Sequence, residues 1–269
     1  INGKLQSLSG SFGHEIRNFL GAIKFSQNQI QELITKEKEV DKNQLLEITS
    51  QISNTVSSAI NTINIILEDL REKPIDPDDF AYLEASKNLS KIIEKFNYDS
   101  EAEKSKVKLN ITSENNFIFR AIEDRFILVI NNLLKNALYY LKDYPSSIIT
   151  IGAVRNDAGK IGGVVDFSKY NVIYVHDAGP GIDSKVIPKL FDDFFTIGKK
   201  EGTGLGLAFC KSNMKIFDGD IIVESELGQN GKSGWTKFSL LFPKLSDAEI
   251  KKWIIQGHKK KILLIDDGK

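Results

Sequence analysis

NVIYVHDAGPGI (171–182) is the stretch that decides how the larger part of this chain folds. Val172, Ile173, Tyr174 and Val175 are β-branched or aromatic, and the run from Asn171 to Asp177 reads as a strand. The strand delivers Asp177 into a turn where Gly179 and Gly181 permit positive φ and the close approach of a ligand. A carboxylate at the mouth of such a turn can accept a hydrogen bond from an exocyclic amine, for instance that of adenine. Taken alone, D-x-G-x-G is shared by many tight turns.

Working outward, the pattern around this strand is mixed. FAYLEA (80–85), FIFRA (117–121), SIITIGAV (147–154), VVDFS (164–168), DIIVES (220–225) and WTKFSLLF (235–242) read as further strands. SKNLSKIIEKF (86–96) reads as a short helix capped by Ser86, and EDRFILVINNLLKNALYYLK (123–142) as a longer one. The expectation is one mixed sheet with helices on one face, a two-layer α/β sandwich. The fold class is α+β.

Residues 1–72 differ. They hold no proline, and their apolar residues fall three and four apart. Leu5, Leu8, Phe12, Ile16, Phe19, Ile23, Ile30 and Leu33 form one stripe; Leu45, Ile48, Ile52, Val56, Ala59, Ile63, Ile66 and Leu70 form another. TKEKEVDKNQ (35–44) lies between them as a polar turn. This is a helical hairpin whose narrow seams bury little alone, and two copies joined as a four-helix bundle complete it. The alternative is a hairpin packed on its own neighbouring domain. REKPIDPDD (71–79) reads as a linker. The expected domains are therefore 1–72, 73–245 and a terminal piece, 246–269.

Composition narrows the function. Of 269 residues, 41% are hydrophobic and 27% charged, enough for a packed core and too apolar for wholesale disorder. Lys plus Arg and Asp plus Glu are each 36, so the net charge of zero argues against nucleic acid or an anionic membrane as partner. One cysteine excludes an internal disulfide, and three histidines make a histidine metal centre improbable. No apolar run reaches the ~18–20 residues of a membrane span. The chain starts at Ile1 and reads as a soluble, cytoplasmic piece of something longer.

Three more stretches carry chemistry. In SGSFGHEIRNFLGAI (9–23), His14 lies about 200° around the helix from the apolar stripe, with Glu15 beside it and Asn18 one turn on. By itself this is a surface histidine. In NNLLKNALYY (131–140), Asn132 and Asn136 stand four apart on one helix and can offer two carboxamide oxygens to a hard cation such as Mg²⁺. By themselves they are polar-face asparagines. In EGTGLGLAFCKSNMKIF (201–217), Gly202, Gly204 and Gly206 precede a helix, so that unobstructed N–H groups form a phosphate cradle or, alternatively, a hinge. FDDFFTIGKK (191–200) supplies apolar anchors and two lysines, as a lid over phosphates would.

Taken in chain order, the five stretches resemble the sensor histidine kinases of two-component signalling. FGHEIRN looks like the phosphoacceptor box, NLLKNA the N box, DAGPG the first glycine box, FDDFF the F box and GTGLGL the second glycine box. ILLIDD (262–267) resembles the first strand and acidic pair of a receiver domain, as in a hybrid kinase, and NALYYL resembles hybrid kinases of bacterial quorum sensing.

The resemblance implies roles. His14 takes the γ-phosphoryl of ATP, Glu15 orients or deprotonates its ring, and Asn18 matches the position linked to dephosphorylation of a partner's phospho-aspartate. Asn136 is the main Mg²⁺ ligand with Asn132 in support, and Asp177 reads adenine. Tyr140, Gly179, Gly181, Lys199, Gly202, Thr203, Gly204, Leu205 and Gly206 line the nucleotide and its phosphates. The implied partners are a second copy of the chain and a receiver domain in cis, a response regulator or a phosphotransfer protein. The parent protein would be anchored in the bacterial inner membrane.

Two positions depart from the family pattern: Phe19 stands where proline is usual after Asn18, and Tyr139 where lysine often follows the Mg²⁺ asparagine. Two other readings compete. An ATP hydrolase of the gyrase and chaperone type needs a glutamate where this chain has Asn132, and a non-catalytic scaffold would bind nucleotide without transferring phosphate.

Overall fold

The structure, a computed structural model, describes residues 2–36, 41–69, 75–155, 160–161, 165–166, 168–197, 204–228 and 234–255. It divides into two units, Ile1–Lys73 with Asp192–Gly206, and Pro74–Phe191 with Leu207–Lys269. The stub 262–267 lies outside the described residues.

In the first unit α1 (Asn2–Lys36) and α2 (Lys42–Asp69) pack against each other. Phe19, Ser26 and Leu33 are buried on α1 at seven-residue steps, and Ile48 and Thr62 on α2 stand fourteen apart. That is the heptad spacing of a coiled seam. The helix α1 is unbroken at Phe19, whose side chain is 7% exposed. Where a proline would interrupt the backbone ladder, this chain places a core residue.

The second unit is a two-layer α/β arrangement. Its main sheet has the order β2 (Val107–Asn110), β4 (Ile149–Val154), β7 (Tyr170–Asp177), β9 (Trp235–Pro243), β8 (Asp220–Glu226). The β2–β4 pair is parallel and the rest are antiparallel. One sheet face carries Ile149, Ile151, Ile173, Val175, Phe238, Leu240 and Ile221, all buried. The helices α3 (Ala85–Lys95), α5 (Glu123–Tyr140) and α6 (Gly206–Ile216) contribute Leu89, Phe126, Val129, Ile130, Leu133, Leu134 and Met214 to the same core. Phe119, Phe126 and Phe242 form an aromatic group, Phe126 edge-on to the other two and Phe119 tilted against Phe242, with centroids 4.4–5.9 Å apart, worth about 1 kcal/mol per pair beyond burial.

Two local expectations need correction. The strands do not form a single sheet: β1 (Ala81–Glu84) and β3 (Ile118–Ala121) pair only with each other, and β5 (Lys160–Ile161) and β6 (Val165–Asp166) form a two-residue hairpin. Ser86 does not cap α3: the helix begins at Ala85, the cap position is Glu84, and the Ser86 hydroxyl donates to the Glu84 carboxylate. Asn116 instead receives the Ser86 N–H, a contact from 30 residues away. The sequence pattern does not signal the six-residue α4 (Glu101–Lys106) or the four-residue β2, because fewer than two helical turns and only two strand repeats are too short a run for periodicity to stand out.

Candidate nucleotide site

Asp177 ends β7, is 6% exposed, and lies under the turn that follows. The Gly179 N–H donates to its Oδ1 at 3.0 Å. Burial pushes the carboxyl up from 3.8 to about 6, only partly offset by that bond. It is the group in this site whose charge is least well solvated, as suits a carboxylate waiting for a neutral donor.

The turn admits no side chains where its glycines stand. A Cβ on Gly179 would sit 2.7 Å from Asp177 Oδ1 and 3.4 Å from Leu141. Gly181 has φ +74, and a Cβ there would overlap the carbonyl of Glu226. Ser147 Oγ donates to the Ala178 carbonyl at 2.9 Å, Gly228 N–H to the Pro180 carbonyl at 2.9 Å, and Ile182 N–H to Ser225 Oγ at 2.8 Å. Ser147, Ser225 and Gly228 were missed by sequence reasoning. Their signal is weak: serines and a glycine in ordinary loop and hairpin contexts.

The helix α5 supplies the amide pair. Asn132 is buried and its Nδ2 donates to the Leu128 carbonyl at 2.9 Å. Asn136, one turn on, is half-buried. Neutral oxygen donors at this spacing fit a hard divalent ion that takes its remaining ligands from phosphates and water. Among the described residues no group of three acidic, histidine or cysteine side chains offers a competing metal cluster. Lys135 is buried enough for its ammonium to titrate below its ordinary value, with Asp99 as partial counter-charge. Tyr140 closes the helix, half-buried and edge-on to Tyr139 at 5.2 Å; burial raises its phenol, which therefore stays a donor.

The glycine loop is described in part. Gly204 has φ +68, and a Cβ there would overlap the backbone of Phe194, itself at φ 65. The ends of the segment between the F box and the second glycine box therefore meet backbone to backbone. Leu205 is buried and Gly206 opens α6. Lys199, Lys200, Gly202 and Thr203 lie outside the described residues. His14 and Glu15 lie in α1, but their side chains are outside the described set; Asn18 is exposed. His176 is not part of a site: its ring packs 5.9 Å from Trp235, and burial with Lys237 lowers its pKa. Cys210 is fully buried against the Val129 carbonyl.

This combination of sheet, amide-bearing helix and carboxylate-led glycine turn defines a class of nucleotide-binding domain. Residues 121–246 match the family model described as "Histidine kinase-, DNA gyrase B-, and HSP90-like ATPase". The chain's relatives are sensor histidine kinases. It is 31% identical over 252 residues to the CAI-1 autoinducer sensor kinase/phosphatase CqsS of Vibrio cholerae, covering 88% of this chain and 34% of CqsS. It is 29% identical over 246 residues to the autoinducer 1 sensor kinase/phosphatase LuxN of Vibrio harveyi, covering 90% of this chain and 26% of LuxN. The chain thus spans a minority of the length of these relatives. Two solved structures share the fold. The histidine kinase ThkA, in complex with the response regulator protein TrrA, gives a TM-score of 0.57 at 18% identity, covering 91% of this chain and 64% of that one. Full-length ShkA, in complex with AMPPNP, gives 0.52 at 16%, covering 90% and 47%. The resemblance carried by the five boxes holds, including its link to quorum-sensing kinases.

Proposed function

We propose that this chain is the core of an ATP-dependent protein-histidine kinase, with His14 as phosphoacceptor. The observation that carries the reading is the buried Asp177 carboxylate at the head of a glycine turn that admits no side chains. In this reading Asp177 accepts the adenine amine, Asn136 and Asn132 hold the metal, and the N–H groups at Gly204, Leu205 and Gly206, with Gly202, Thr203 and Lys199, hold the phosphates. Mg²⁺, when bound, neutralises phosphate charge. A lone pair of the neutral His14 ring attacks the γ-phosphorus; the new bond is N–P, the bond to the bridging oxygen breaks, and ADP leaves with that electron pair. Glu15 orients the ring or takes its remaining proton. The phosphoryl group then passes to an aspartate carboxylate of a receiver domain, in cis or on a response regulator, and Asn18 serves the separate dephosphorylation, in which water attacks the phospho-aspartate and releases inorganic phosphate.

The hairpin supports a homodimer. Leu20, Phe25 and Ile34 on α1, and Leu46, Ile60 and Leu67 on α2, are each 54–67% exposed, an apolar surface that a second hairpin covers in a four-helix bundle. No described helix is long and apolar enough to cross a membrane. The hydrolase alternative fails on chemistry, because the Asn132 carboxamide cannot act as a base.

The test is incubation with γ-labelled ATP and Mg²⁺, beside His14→Gln and Asn136→Ala. Acid-labile label on the wild type alone is expected. Label surviving in His14→Gln overturns the phosphoacceptor assignment; free phosphate without labelled protein favours hydrolysis, and nucleotide binding with neither favours the scaffold.

A further inference from the structure

The turn bearing Asp177, Gly179 and Gly181 is braced by a hairpin distant in sequence. Ser225, on β8, is the joint. Its Oγ donates to the Trp235 carbonyl at 2.6 Å, accepts the Ile182 N–H at 2.8 Å, and lies 3.1 Å from Thr236 Oγ1. A hydroxyl has one proton and two lone pairs. With its proton committed to Trp235, its lone pairs take the Ile182 N–H and the Thr236 hydroxyl, so its capacity is used in full.

The neighbouring contacts have the same direction. Gly228 N–H reaches the Pro180 carbonyl, and the absent side chain of Gly181 leaves room for the Glu226 carbonyl. Trp235 Nε1 donates to Glu226 Oε2 at 3.2 Å, fixing the hairpin across its own strands. Among these contacts, Ser225 alone ties both hairpin strands to the turn through one side-chain atom. An alanine keeps the β8–β9 ladder but leaves the Ile182 N–H without its acceptor.

We propose that Ser225 is a positioning residue for nucleotide recognition, its hydroxyl setting where the Asp177–Ile182 turn presents its carboxylate and glycine backbone to the base. This rests on the reading of Asp177 as the adenine acceptor. Ser225 itself touches no reacting atom; it acts through Ile182. Outer partners that orient metal-binding groups are worth about tenfold or more in affinity, and the same order is the expectation for a residue that orients this turn.

The experiment compares Ser225→Ala, Ser225→Thr and Asp177→Asn in the full chain, using ADP as the calorimetric probe and hydrogen exchange at the Ile182 amide. Ser225→Ala is expected to weaken ADP binding about tenfold and to speed Ile182 exchange by a similar factor. The KM for ATP rises with it, while kcat for autophosphorylation stays within about twofold. Ser225→Thr, which keeps the hydroxyl, restores ADP binding to within about twofold of wild type. Wild-type ADP binding in Ser225→Ala, alongside a loss in Asp177→Asn, overturns this inference alone. Wild-type binding in Asp177→Asn overturns the adenine reading and this inference with it. If the alanine protein does not fold, a threonine protein with an unprotected Ile182 amide overturns the role given to the hydroxyl.

Discussion

Asp177 offers a prediction in which stability and function move in opposite directions. Its carboxyl is 6% exposed and titrates at about 6 instead of 3.8 because burial disfavours the charged form. The interval between those two values corresponds to about 3 kcal/mol. The sign follows from the folded-state value lying above the unfolded one. Below about pH 4 the group is protonated in both states and costs nothing; between about pH 4 and 6 the unfolded chain ionises first and stability falls; above about pH 6 the full cost remains. Asp177→Asn keeps an oxygen in place of Oδ1 to accept the Gly179 N–H and removes the titration. Urea denaturation of the full chain, followed by tryptophan fluorescence at pH 4.5 and 7.5, should show the variant overtaking wild type by up to about 3 kcal/mol at the higher pH. For a domain of this size that is about 6–12 °C in Tm. The same variant should lose adenine nucleotide, because its amide is half donor where an acceptor is needed. Parallel stability profiles for the two proteins between pH 4.5 and 7.5 would refute the assignment of a buried, strained carboxylate.

Three shorter predictions follow. Gly181→Ala places a Cβ on the Glu226 carbonyl at φ +74 and should lose at least about 2 kcal/mol by thermal unfolding, together with nucleotide binding. Phe19→Pro, which installs the residue usual in the family, both removes a buried ring and breaks the α1 ladder; a loss of about 3 kcal/mol or more, read as a lower melting temperature of the helical signal, is expected, and an unchanged one refutes the seam. Under the proposed four-helix bundle, Leu67→Glu on the exposed apolar face of α2 should shift sedimentation velocity toward a monomer while leaving nucleotide affinity intact, and a wild type that already sediments as a monomer refutes the bundle.

Much of the fold is legible along the chain because it is local. The run 171–182 contains its own strand, carboxylate and glycines, and α5 announces itself by sustained periodicity over 18 residues. The glycine requirement at 181 is also readable, although its cause is not: Glu226 is 45 positions away. The separate pairing of β1 with β3 escapes a linear reading, since strand pattern says nothing of which partner a strand takes. The Ser86 cap failed for a related reason, because Asn116 competes for that backbone from across the fold.

By itself, then, the sequence determined the order of the chemical groups, the helical hairpin and the likeness of residues 121–246 to histidine kinase-type ATPases, because these depend on residue type and spacing within one element. Tertiary structure decided the rest: that Phe19 replaces a kink with a core contact, that Asp177 is desolvated enough to titrate near neutrality, and that Ser225 holds the turn from the far strand. Burial and hydrogen-bond partnership are properties of neighbours in space, and a position in the chain does not name its neighbours.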